Sequence, residues 1–208
     1  LTVGEVLPLP GFVNELQEGD EIISIAGLEA PSFSDPTSWN SFRDQLPLTQ
    51  PLDYGVRRGD VELTVDGPNL TPPYIQSVAP RSAASDIELL PGDVITAVDG
   101  EKIVAFDQLK QKVEQAHGRV LLLEIWREGQ SIELALAPRR IDEPQPDGSF
   151  ATKWRIGIAG GLAFTPATTT ISPVDALTAG AGQVWMVVET SLSGLKHMIT
   201  GAISTCNL

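Results

Sequence analysis

Two stretches of alternating apolar and polar positions stand out along the chain, and they are copies of one unit. Leu16-Gln17-Glu18-Gly19-Asp20-Glu21-Ile22-Ile23-Ser24-Ile25-Ala26-Gly27 returns 73 residues later as Leu89-Leu90-Pro91-Gly92-Asp93-Val94-Ile95-Thr96-Ala97-Val98-Asp99-Gly100. In each copy a Gly-Asp turn launches a short strand that ends at a second turn. Downstream, Trp39, Phe42 and Leu46, and then Phe106, Leu109 and Val113, recur at i, i+3 and i+7, which predicts one apolar face of a helix in each unit. Val56–Gly59 leading into Val61–Val65, and Ile125–Gly129 leading into Ile132–Leu136, predict hairpins with alternating faces. Val3-Gly4-Glu5-Val6 and Tyr74-Ile75-Gln76-Ser77-Val78 predict a strand ahead of each Gly-Asp turn.

The order strand, short helical turn, strand, helix, hairpin therefore occurs twice, over 1–68 and 72–140. About five short strands with one helix can close a small core where a lone hairpin cannot. The predicted class is mixed α+β, mainly β: two partly open barrels or sandwiches, each capped by a helix. Residues 141–171 read as a linker with one short strand, Trp154–Ile158, followed by a flexible Gly-rich turn at Ala159-Gly160-Gly161. Ser172, Pro173 and Asp175 supply a hydroxyl cap, a first-turn proline and a carboxylate for the positive end of a helix, predicted over 172–200. Only 13 uncharged residues separate Asp175 from Glu189, short of a membrane span, so the expectation is an amphipathic, interfacial or docked helix.

Composition narrows the chemistry. The net charge is −13, with a balance of −14 over 1–149 and near +1 over 150–208, which argues against nucleic acid as a partner. Cys206 is alone, so no intrachain disulfide forms. Leu1–Pro10 lacks the charged-then-apolar pattern of a signal peptide, and a start without Met is expected of an excised fragment. His117 and His197 are the whole stock of histidine, too few for a zinc site or a catalytic triad. His117 before Gly118 reads as a helix C-terminal cap, and no calcium-loop spacing occurs. Neither a catalytic centre nor a metal or cofactor site is expected within these residues.

The Leu-x-x-Gly-Asp-x-Ile core in this order of elements resembles the PDZ domains of bacterial proteases. Ser77-Val78-Ala79-Pro80-Arg81-Ser82-Ala83-Ala84-Ser85 is similar to the entry to the second PDZ domain of site-2 proteases that cleave anti-sigma factors. Ser172-Pro173-Val174-Asp175-Ala176-Leu177, Val184-Trp185, Leu195–Gly201 and Asn207-Leu208 are similar to the stretch that follows the PDZ pair in that family. The family's His-Glu-x-x-His and Leu-Asp-Gly zinc motifs are missing, and Val98-Asp99-Gly100 is a PDZ turn.

The resemblance implies an extracytoplasmic tandem PDZ region on the periplasmic face of the bacterial inner membrane, with zinc held elsewhere in the parent protease. Its implied partners are a trimmed protein substrate such as an anti-sigma factor, the membrane domain of the same protease, and the membrane surface through 172–199. An alternative is a module that captures peptide C-termini, even one from a soluble periplasmic serine protease. PDZ recognition adds an extended peptide to a strand beside the long helix. That assigns a groove to Tyr74, Ile75, Gln76, Ser77, Leu109 and Val113, with Val3, Gly4, Phe42 and Leu46 as weaker counterparts in the first unit. Leu109 and Val113 could equally be plain core residues.

Overall fold

A computed structural model describes residues 1–31, 36–144 and 150–167. The predicted helix over 172–200, with His197 and Cys206, lies outside the described residues. Leu1–Ala167 forms one compact unit.

The first repeat runs β1 (Val3–Val6), β2 (Glu21–Ile25), β3 (Leu28–Glu29), α1 (Pro36–Gln45), β4 (Leu52–Arg58) and β5 (Val61–Gly67). The second runs β6 (Ile75–Val78), α2 (Ala83–Asp86), β7 (Val94–Val98), β8 (Glu101–Lys102), α3 (Phe106–Gln115), β9 (Leu121–Arg127) and β10 (Gln130–Leu136). Their antiparallel sheets have matching orders, β3-β2-β4-β5 and β8-β7-β9-β10. Single bridges, Thr2↔Glu21 and Tyr74↔Val94, tie β1 and β6 to the Gly-Asp strands, so each repeat is a partly open sandwich.

The two-residue hairpin turns follow from backbone freedom: Gly59 has φ +62°, and Glu128 and Gly129 have φ +49° and +86°, which lets the chain reverse with the twist of its strands. Two apolar clusters form the cores. Ile22, Ile25, Tyr54, Val56 and Leu70 centre the first, and Ile95, Val98, Leu121, Leu123 and Ile125 centre the second.

The likeness of the repeats extends to individual bonds. Asp20 and Asp93, both buried, sit at the Gly-Asp turns. Each carboxylate accepts two bonds from an arginine at the hairpin, Arg58 for Asp20 and Arg127 for Asp93, at 2.7–2.8 Å. Each also accepts a backbone N–H three residues upstream, from Gln17 or Leu90, at 2.9 Å. The same arginines donate onward to the carbonyls of Glu15 and Glu88. One buried acid thus stitches turn, strand and hairpin together.

Residues 139–167 are more structured than a linker with one short strand. β11 (Arg139–Pro144) and β12 (Phe150–Arg155) pair as a hairpin, followed by β13 (Ile158–Gly160) and β14 (Phe164–Pro166). The expected strand Trp154–Ile158 is interrupted: β12 stops at Arg155, and Gly157 at φ +83° turns the chain against Ser82. Ala159 and Gly160, expected in a flexible turn, belong to β13. Arg155 anchors the turn, bonded to Glu143 at 2.6 and 2.9 Å and to Glu114 of α3 at 2.7 Å.

Removing a buried partner from such a pair destabilises a domain by about 3–5 kcal/mol when fully desolvated, so Asp20→Ala and Asp93→Ala should each cost about 2–4 kcal/mol in urea unfolding. A loss under about 0.5 kcal/mol at both sites would show that the acids are dispensable. The Arg58 guanidinium holds the Asp20 carboxyl below its ordinary value, so its stabilisation is complete above the unfolded pKa of about 4 and is lost as pH falls through the folded value. Unfolding midpoints measured from pH 6 down to pH 2 should fall in that acidic window, and less steeply for Asp20→Asn.

Candidate peptide-binding grooves

In a PDZ fold the ligand strand enters between the strand that precedes the Gly-Asp turn and the long helix. Here those places lie between β1 and α1 and between β6 and α3. The sequence assignments fall on the walls. Phe42, Leu109 and Val113 project from the helices, Leu46 directly follows α1, all four are at most 6% exposed, and Val3 and Ile75 are fully buried. All six belong to the apolar cores, so they wall the grooves from behind. Gln76 and Ser77 are exposed, and Tyr74 is half-buried beside the opening.

Both groove edges are already paired by the chain itself. β13 lies antiparallel on β6, matching Ile158 with Val78, Ala159 with Ser77 and Gly160 with Ile75. Its approach is fixed by the Ala79 N–H, which donates to the Gly157 carbonyl, and the Ala84 N–H, which donates to the Ile156 carbonyl, each at 2.8 Å. β14 lies antiparallel on β1, matching Val3 with Pro166 and Val6 with Phe164. Leu7 N–H donates to the Ala163 carbonyl and Ala167 N–H to the Thr2 carbonyl, both at 2.9 Å. One strap, Ile156–Pro166, thus passes along the grooves of both repeats.

Packing follows the same path. Ile156 enters the second core at 5% exposure, while Ala163 and Phe164 enter the first at 0% and 1%. Burial of the Phe164 ring alone is worth roughly 2–3 kcal/mol. Gly4 is needed where the strap meets β1, because a Cβ there would stand 2.7 Å from the Thr165 carbonyl oxygen. Gly160 is needed where the strap meets α3, because a Cβ would stand 2.6 Å from the Phe106 ring.

Beside the strap an open cavity of about 700 Å³ is lined by Tyr74 and Gln76, by Phe106, Leu109, Lys110 and Val113 of α3, and by Ile158 and Gly160. The sequence reading placed Phe106 on the helix face and a strand at Trp154–Ile158, but assigned neither these nor Lys110 to the groove.

No three His, Cys, Asp or Glu side chains come together to hold a metal ion among the described residues. The His117 ring Nδ1 lies 2.7 Å from the Gln115 carbonyl just past α3. Among the described residues no helix is long and apolar enough to cross a membrane.

Residues 74–127, which carry the second Gly-Asp turn and its hairpin arginine, match the PDZ domain family, and the first repeat shares that arrangement. The chain is 31% identical over 145 residues to the protein of Rhizobium meliloti named "Putative zinc metalloprotease R01501", covering 69% of this chain and 39% of that protein. It is 30% identical over 146 residues to Regulator of sigma-E protease RseP of Escherichia coli, covering 68% of this chain and 31% of that protein. The chain belongs to the site-2 protease family through this PDZ region, and it spans well under half the length of these relatives. Among solved structures, the PDZ domain of the SdrC-like protein of Listeria monocytogenes is 19% identical, covering 42% of this chain and 84% of that one, with a TM-score of 0.32.

Truncating Phe164 to alanine should lower stability by about 3–5 kcal/mol, as for other buried aromatic deletions. Ala159→Ser, at an exposed position of the same strap, should change it by no more than about 0.5 kcal/mol. Urea titration distinguishes the two, and a small loss at Phe164 would mean that the strap does not complete the first core.

Proposed function

We propose that this chain is the regulatory, substrate-gating PDZ region of a membrane-embedded zinc metalloprotease that performs regulated intramembrane proteolysis. The zinc and the reacting groups are carried by other parts of the parent protein. Membrane attachment and an extracytoplasmic, periplasmic position belong to the same proposal, supported by the kinship with RseP. The substrate would be a membrane protein such as an anti-sigma factor, admitted after its extracytoplasmic part has been trimmed. Residues 172–199 would lie at the membrane surface next to the protease domain.

The observation that carries this reading is the strap. It ties the repeats through both cores and fills the two edges that a free peptide would use. A bulky acidic pair held together in this way is suited to exclude large substrates by size and charge.

In the parent protease, deleting residues 1–167 should permit cleavage of untrimmed substrate, while the intact enzyme cleaves only the trimmed form. Cleavage of both forms followed by immunoblot is the measurement. If the deletion variant still rejects untrimmed substrate, gating by this region is wrong.

A further inference from the structure

The two groove edges are filled by one strap, but they are filled unequally. In the first, Phe164 is 1% exposed and Ala163 is fully buried among the first repeat's core residues. The Thr165 hydroxyl also accepts the Glu5 N–H at 3.0 Å. In the second, β13 offers half-buried Ile158, exposed Ala159 and a glycine. Gly157, Gly160 and Gly161 make up three of the five residues from 157 to 161, and glycine weakens a strand because it has no side chain to pack and loses the most freedom on ordering. Both pairings have a register irregularity, between Val3 and Val6 in the first and between Ala159 and Gly160 in the second, so the difference lies in the side chains. The 700 Å³ cavity opens along α3, at Phe106, Leu109, Lys110 and Val113, and reaches Leu7 and Phe164 of the first groove at its other end, so beside β6 the strap uses the backbone edge and leaves side-chain space along α3 open.

We propose that β13 is a built-in, displaceable ligand of the second groove, an autoinhibitory latch, whereas β14 is a permanent part of the first repeat. Backbone pairing supplies the hold on β6, and the missing side chains keep that hold weak. It persists because the strap is tethered on both sides, by Ile156 in the second core and Ala163-Phe164 in the first, and tethering raises the effective concentration of a weak ligand to about the millimolar range. A peptide in trans gains the edge of β6 only when residues 157–160 peel away between those two anchors. The incoming segment is an extended chain running antiparallel to β6, with an apolar side chain opposite Val78. Because Phe106 already contacts the backbone at Gly160, the incoming residue there is also small, unless the Phe106 ring moves. The latch is defined by the packing of the strap alone and does not depend on the protease reading.

The test uses the full chain and a fluorescent peptide with the sequence of residues 154–163. Ala159→Pro removes a strap N–H at an exposed position and so weakens the latch without entering either core. The variant should bind the peptide at least tenfold more tightly than the unmodified chain by fluorescence anisotropy. Equal affinity for the two proteins overturns the latch. Hydrogen exchange of the unmodified chain keeps the question open to refutation if the variant folds poorly. The Ala79 amide, which donates to Gly157, should exchange at least tenfold faster than the amides of the β7–β9 ladder. Exchange of Ala79 at the rate of that ladder would make β13 as permanent as the core and overturn the proposal.

Discussion

The fold of either repeat depends on a carboxylate taken out of water. Asp20 and Asp93 are buried where a charge is tolerable only if it is fully bonded, and each finds its bonds in one arginine fork and one turn N–H. The geometry of that cluster sets the distance between the Gly-Asp turn and the hairpin, and hence the pairing of β2 with β4 and of β7 with β9. The strands that border the grooves are placed by the same turns, since Val3 N–H donates to the Asp20 carbonyl and Ile75 N–H to the Asp93 carbonyl, both at 2.8 Å. A polar constraint in the core therefore positions the binding edge at the surface.

The strap turns two similar units into one body. Its contacts alternate between the repeats, with Ile156 and Ile158 packing against the second core and Ala163 and Phe164 built into the first. Further links run the same way: Phe106 N–H donates to the Thr71 carbonyl, and the Gln108 side chain reaches Leu48 while capping its own helix at Val104 and Ala105. A peptide-binding fold is used here first to bind its own chain.

Much of this was legible in the sequence because the repeat restates its constraints. Gly19-Asp20 and Gly92-Asp93 mark the turns, Phe42, Leu46, Leu109 and Val113 mark the helix faces, and the hairpins carry their own turn residues. The choice between groove wall and core at Leu109 and Val113 could not be made from periodicity, since a side chain on the inner face of α3 serves both. The strap was harder for a physical reason. Glycines at 157, 160 and 161 erase the alternation that announces a strand, and the partners of β13 and β14 lie about 80 and 160 residues away. Pairing over such distances leaves no local pattern. Gly160, which read as part of a turn, is required by close approach to Phe106, and Gly157, which read as part of a strand, by close approach to Ser82.

The strap also sets an order of events during synthesis. Val3 and Phe42 leave the ribosome more than a hundred residues before Phe164, yet the ring that completes their core belongs to Phe164. The earlier of two domains ordinarily folds as soon as it has emerged. This one must wait with an open edge at β1 until the whole second repeat has been made, and is closed by the segment that follows both.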